Sequence, residues 1–153
     1  MPFFKRKEKS KTVYKQSGVI AFRLRDGALE VLLITSRKRM RWVIPKGLIE
    51  PDMSARESAG KEAFEEAGVE GLVSNYSIGR YQYAKWGGIC DVEIFLLFTE
   101  RMYNDWPESG MRNRQWLPHN EAAELIEEQD LRKLIESLPD ILSKKGSHGI
   151  QER

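Results

Sequence analysis

Residues 47–69 read GLIEPDMSARESAGKEAFEEAGV. From Ser54 to Ala67 the pattern predicts a helix. Ser54 with Glu57 three positions on makes a capping box, and Gly68 stands where a left-handed C-terminal cap belongs. Glu62, Glu65 and Glu66 fall at i, i+3 and i+4, so their carboxylates leave one face of that helix. Ala59, Gly60, Ala63, Phe64 and Ala67 fall on the roughly opposite side and are small enough, on the whole, to let the helix lie close to a sheet. Like charges at this spacing cost a few tenths of a kcal/mol per close pair. A bound divalent cation removes that conflict, and all-oxygen donors select hard ions such as magnesium, calcium or manganese. A solvated acidic face has the same spacing, so the glutamates alone do not decide.

Working outward, the segment Tyr14–Arg25 holds Val19, Ile20, Ala21 and Phe22 and predicts a buried strand; Asp26-Gly27 supplies a turn and Leu29–Thr35 the returning strand. A basic loop follows, with Arg37, Lys38, Arg39 and Arg41, and then Trp42-Val43-Ile44-Pro45-Lys46-Gly47. Beyond the helix, Ile78–Ala84 and Ile89–Thr99 predict two strands joined at Trp86-Gly87-Gly88, and a short strand is expected at Arg114–Leu117. A helical region is expected from Asn120 towards Lys145, interrupted at Pro139. Strands on either side of a central helix, with a terminal helical region, predict a mixed sheet covered by helices on both faces. The expected organisation is a basic arm over residues 1–12, one domain over 13–145 and a polar tail over 146–153.

At 153 residues the chain is long enough for one well-cored domain. Its 41% hydrophobic and 31% charged residues belong to an ordinary globular protein, and a net charge of +2 does not by itself imply nucleic acid. The single cysteine, Cys90, excludes an intrachain disulfide and suits a reducing compartment. The lack of a long apolar run argues against a signal peptide or membrane span, which makes the cytoplasm the expected location. Two histidines, His119 and His148, leave little for a zinc centre or a hydrolytic triad, and there is no GxxxxGK[ST] phosphate loop.

Gly47, Lys61-Glu62, Glu65-Glu66 and Gly68-Val69 together closely resemble the Nudix box: Gly, five residues, Glu, seven residues, Arg-Glu, an aliphatic residue, any residue, Glu-Glu, any residue, Gly, aliphatic. Every spacing holds. Two residue types depart, with Met53 at the first acid and Lys61 at the arginine. The segments SGVIAF, WVIPKG and DWPES, with the later RNRQWLPHNEAAELI, extend the resemblance over most of Lys15–Leu134, most nearly towards diphosphoinositol polyphosphate and dinucleoside polyphosphate hydrolases.

The resemblance implies an α/β/α sandwich, a mixed central sheet and a catalytic loop-helix-loop. It implies a pyrophosphohydrolase using Mg2+, or Mn2+, held by Glu62, Glu65, Glu66 and the Lys46 carbonyl. A second reading is a Nudix-fold binding module with attenuated catalysis, suggested by Met53 and Lys61. Asp91, Glu93 and Glu121 are candidate proton acceptors from outside the box, while Glu50 is either a supporting residue or solvated. Arg37, Lys38, Arg39, Arg41 and Lys46 are candidate clamps for a small, highly phosphorylated substrate, with Arg112 and Arg114 behind them. An RNA 5′ end is a third substrate class, suggested by the basic arm. Trp42 and Trp86 are expected to pack rather than stack on a base. In the resembling family the first box acid and the arginine pair. With that acid replaced by Met53, Lys61 is expected to pair with Glu57.

Overall fold

The computed structural model describes residues 11–38 and 40–144. The basic residues from Lys5 to Lys9, Arg39 and the tail beyond 144 lie outside the described residues. Two long strands carry the molecule. β1 (Val13–Arg25) and β7 (Gly88–Met102) run parallel side by side, from Val13 opposite Ile89 to Phe22 opposite Phe98. β1 is buried continuously from Gln16 to Phe22, as a strand covered on both faces must be.

Each long strand changes partner along its outer edge. The first half of β1 pairs with β4 (Lys46–Leu48), and its second half with β2 (Ala28–Thr35). The first half of β7 pairs with β6 (Gly79–Lys85), and its second half with β5 (Val69–Val73). Both hairpin turns place two successive residues in the left-handed region, Asp26-Gly27 and Trp86-Gly87, as the expected turn sites require. β3 (Trp42–Val43) and β8 (Arg114–Pro118) both pair with β2, completing a mixed sheet.

The helix α1 (Ala55–Ala67) covers one face. Its Ala59, Ala63 and Ala67 are fully buried against Val19, Ala21, Leu32, Ile34, Phe95 and Leu97. The other face is covered by α2 (His119–Glu124), α3 (Gln129–Glu136) and α4 (Leu138–Ser143). These, with Ile126 from the turn between α2 and α3, pack Leu131, Ile135 and Leu138 on Ile20, Phe22, Ile94 and Leu96. The expected α/β/α sandwich is present.

Three details differ from the sequence expectation. The helical region is three short helices, and Pro139 lies in the first turn of α4, where its missing N–H costs nothing, rather than breaking a helix interior. β5 was not anticipated, because Val-Glu-Gly-Leu-Val at 69–73 is too short and too polar to signal a strand without its partner β7. β3 and β4 are shorter still. Among the described residues no helix is long and apolar enough to cross a membrane.

Candidate active site

The capping box forms as the sequence dictates. Ser54 Oγ accepts from Glu57 N at 3.0 Å, and Ser54 N donates to Glu57 Oε1 at 2.9 Å. Gly68 closes α1 at φ 67°, with its N–H bonded to Phe64 O at 3.0 Å. Both ends being fixed, the orientation of Glu62, Glu65 and Glu66 is set by the helix. Glu66 is buried, 8% exposed, and its Oε1 accepts from Lys46 N at 3.1 Å, which ties α1 to β4. Glu62 stands over Gly47: a β-carbon at position 47 would lie 2.5 Å from Glu62 Oε2.

Glu62 and Glu66 resist ionisation. Burial raises the Glu66 pKa to about 8, against the opposing pull of Arg112 and the Lys46 N–H, and with a smaller contribution from Glu62. Glu62 is also raised, first by burial and then by Glu65, while a hydrogen bond with Glu66 works the other way. Arg112, almost wholly buried, lies beside the pair. Its Nη2 is 3.4 Å from Glu66 Oε2, its Nε 2.8 Å from Glu108 Oε1, and its Nη1 donates to Thr35 O at 3.0 Å. Trp106 Nε1 donates to Glu66 O at 3.0 Å and Glu108 N to Glu65 O at 3.0 Å, so the 103–113 segment is laced to the helix.

Five carboxylates (Glu50, Glu62, Glu65, Glu66, Glu108) thus face three cations, Lys46, Lys61 and Arg112. Hard oxygen donors with surplus negative charge and little water suit a divalent cation, so the donor set fits one. The convergence is partial. Among the described residues no three His, Cys, Asp or Glu side chains already surround a common point, and Glu65 is turned along the helix to Lys61 Nζ, 2.8 Å away.

The profile of the NUDIX domain matches residues 14–138, which takes in every strand and α1. The chain belongs to the Nudix family. It is 38% identical over 114 residues to the chloroplastic Nudix hydrolase 21 of Arabidopsis thaliana, covering 72% of this chain and 57% of that protein. It is 26% identical over 119 residues to the diphosphoinositol polyphosphate phosphohydrolase 3-beta of Bos taurus, covering 74% and 69%. The chain therefore spans little more than half of the first of these relatives. A C. elegans Ap4A hydrolase shares the fold, with a TM-score of 0.72 at 21% identity, over 86% of this chain and 99% of that one.

The Nudix box departs from expectation at Lys61. Its ammonium pairs with Glu50 Oε2 at 2.7 Å and Glu65 Oε2 at 2.8 Å. Glu57 is not its partner, because the capping box already takes that carboxylate to the Ser54 N–H. Glu50 is thereby ion-paired to the helix, with 38% of its side chain still exposed.

The outside acids separate by face. Glu62 stands over Gly47; Gly47 lies opposite Ser17 on β1, and Ser17 opposite Glu93 on β7. Paired residues share a face, so Glu93 and, two residues earlier, Asp91 lie on the α1 side, roughly 10 Å of strand spacing from Gly47. Asp91 is held by Lys15 at 3.4 Å and Arg80 at 3.3 Å, and its Oδ1 is buried without a hydrogen-bond partner. Glu93 pairs with Arg80 at 3.7 Å. Glu121 is exposed on α2, across the sheet from the carboxylates.

The basic residues also divide. Arg41 is half-buried and engaged, with Nη1 at 3.1 Å from Glu128 Oε2 and 3.5 Å from Glu127 Oε1. Arg37 and Lys38 sit in an exposed or partly exposed turn; Arg39 lies outside the described residues. The Lys46 ammonium lies 5.0 Å from the centre of the Tyr83 ring, whose hydroxyl donates to Gln16 Oε1 at 2.9 Å. Burial lowers the pKa of Lys46, with Glu66 opposing.

Arg114 caps the C-terminal end of α1. It donates to the carbonyls of Ala67 at 2.8 Å and Tyr103 at 2.5 Å and covers Trp106 at 3.8 Å. Trp42 packs against the core. Trp86 packs edge-on to Tyr14 at 5.2 Å but remains 53% exposed. Glu108 and Arg112 stand out in the structure but hardly in the sequence. Their only local signal was an acid four residues before an arginine, in a segment without helical pattern.

Two expected outcomes follow from this geometry. Gly47→Ala would press a methyl into the Glu62 carboxylate, the movable end of a side chain, so the fold should survive and the site should not. A displacement of this size costs about a hundredfold in turnover, with a melting temperature close to wild type; unchanged kcat would show that Glu62 does not need its place over Gly47. With a chelator present, Glu66 at about 8 retains a proton that the unfolded chain, with a carboxylate near 4.5, has released. Stability should therefore fall as pH rises between these values. Urea unfolding across pH 5–8 reads this directly, and stability that rose throughout the window would contradict it.

Proposed function

We propose that this Nudix domain is a divalent-cation-dependent pyrophosphohydrolase that cleaves a phosphoanhydride bond by water attack at phosphorus. The carrying observation is the desolvated Glu62–Glu66 pair beneath Gly47, flanked by Glu65. In this reading Glu62, Glu65 and Glu66 hold Mg2+ or Mn2+, with the Lys46 carbonyl as a further oxygen donor. A bound cation of this type neutralises charge building on phosphoryl oxygens and lowers the pKa of water. The chain's own groups do the rest. Lys46 offers a desolvated ammonium over the Tyr83 ring, on the α2–α4 face of the sheet but near enough for Glu66 to act on it, and is suited to a substrate phosphate. Arg37 and Lys38 extend positive charge outward, and Glu93 is the outside acid best placed to accept a proton.

The substrate class in this reading is a small phosphorylated molecule: a dinucleoside polyphosphate, a diphosphoinositol polyphosphate or a nucleoside diphosphate derivative. The bovine relative supports the inositol class, and the single buried thiol of Cys90 accords with a reducing, cytoplasmic setting. The second reading, a binding module with attenuated catalysis, is favoured by one observation, the Lys61 ammonium on Glu65. Incubation with diadenosine tetraphosphate, a diphosphoinositol pentakisphosphate and ADP-ribose, with and without Mg2+, separates the two. Cation-dependent turnover of at least one is expected. Tight binding without turnover of any would establish the module instead.

A further inference from the structure

We infer that Glu50 is a positioning residue that replaces the acid missing at Met53, holding Lys61 so that one ammonium both ties the loop to α1 and steadies Glu65. The inference rests on the reading that Glu65 helps to hold a divalent cation.

The loop 48–53 has to be fixed to α1 if Gly47 and Glu62 are to keep their register. Met53 has no charge with which to do this. Glu50 does it twice. Its backbone N–H donates to Ser58 Oγ at 3.1 Å, one turn into the helix, and its carboxylate lies 2.7 Å from Lys61 Nζ. Its carbonyl accepts from Met53 N at 3.0 Å, so positions 50 and 53 are the two ends of one tight turn. An acid at either end is presented to the same helix.

The two carboxylates on Lys61 have different consequences. Glu65 lies one turn further along α1, and its contact with Lys61 at 2.8 Å would, alone, spend the full positive charge on it. Glu50 draws part of that charge away, leaving Glu65 oriented but still negative enough to bind a cation. Both contacts raise the Lys61 pKa, that of Glu50 foremost. Lysine suits the position because its ammonium is a compact charge with three rotatable donors and can serve two carboxylates from different elements. Glu50 and Lys61 thus join loop to helix at a place where Met53 offers no charge.

The test is Glu50→Gln, which preserves shape and removes the charge. Mn2+ affinity, read by titration, and kcat at saturating Mg2+ should each fall about tenfold, while substrate KM and melting temperature stay near wild type. Adding Met53→Glu to this variant should recover most of both losses, since the acid is returned to the other end of the turn. Wild-type Mn2+ affinity and kcat in Glu50→Gln would overturn the proposal. So would losses that Met53→Glu leaves uncorrected. Failure of the hydrolase reading looks different: the wild-type protein would turn over no substrate, while the Mn2+ titrations would still report whether Glu50 steadies the site.

Discussion

Glu66→Gln should lower turnover at saturating Mg2+ by about a thousandfold, at the upper end of what loss of one well-placed electrostatic group costs. Gln retains an oxygen for the Lys46 N–H but cannot supply a negative charge. Because burial already penalises the Glu66 carboxylate, the variant should be as stable as wild type or more so in chelator, and its stability should lose the pH dependence described above. The combination matters: an inactive protein that is not destabilised cannot owe its loss to misfolding. Turnover within tenfold of wild type would show that the buried carboxylate is structural.

Arg112→Met should have the largest effect on stability. The guanidinium is buried between Glu108 and Glu66 and also satisfies the Thr35 carbonyl. Removing it leaves the Glu108 carboxylate and the Thr35 carbonyl without their partner and takes away the charge that opposes the burial of Glu66, at a cost of about 3 kcal/mol, which for a domain of this size lowers the melting temperature by roughly 10 °C. Adding Glu66→Gln should restore part of the loss, because the two residues are coupled. Thermal unfolding of the single and double variants reads this out, and strictly additive changes would deny the coupling.

The helix and its carboxylates were legible because their causes are local. Ser54, Glu57 and Gly68 announce both ends of α1, and 3.6-residue periodicity assigns Glu62, Glu65 and Glu66 to a face whatever lies opposite. The hairpin turns at Asp26-Gly27 and Trp86-Gly87 were legible for the same reason. What the sequence hid was created by pairing across the chain. β5 is a strand only because β7 offers it an edge, and Arg112 reaches Glu66 only because β8 pairs with β2 and draws the 103–113 segment over the end of α1. Nothing near Arg41 in sequence signals its ion pairs, because the turn between α2 and α3 brings Glu127 and Glu128 to it from far along the chain. Lys61 was given the wrong acid because helical spacing favours Glu57, and spacing knows nothing of a capping box that has already engaged that side chain, or of a loop that returns Glu50 to the helix.

The central claim is that a divalent cation binds among Glu62, Glu65 and Glu66. Crystals grown with Mn2+ and measured at the manganese absorption edge locate the ion without reference to activity. An anomalous peak coordinated by carboxylate oxygens of Glu62 and Glu66, with Glu65 within reach directly or through water, is the predicted result. A peak elsewhere, such as beside Asp91 and Glu93 alone, or no peak at a saturating Mn2+ concentration, would contradict the account.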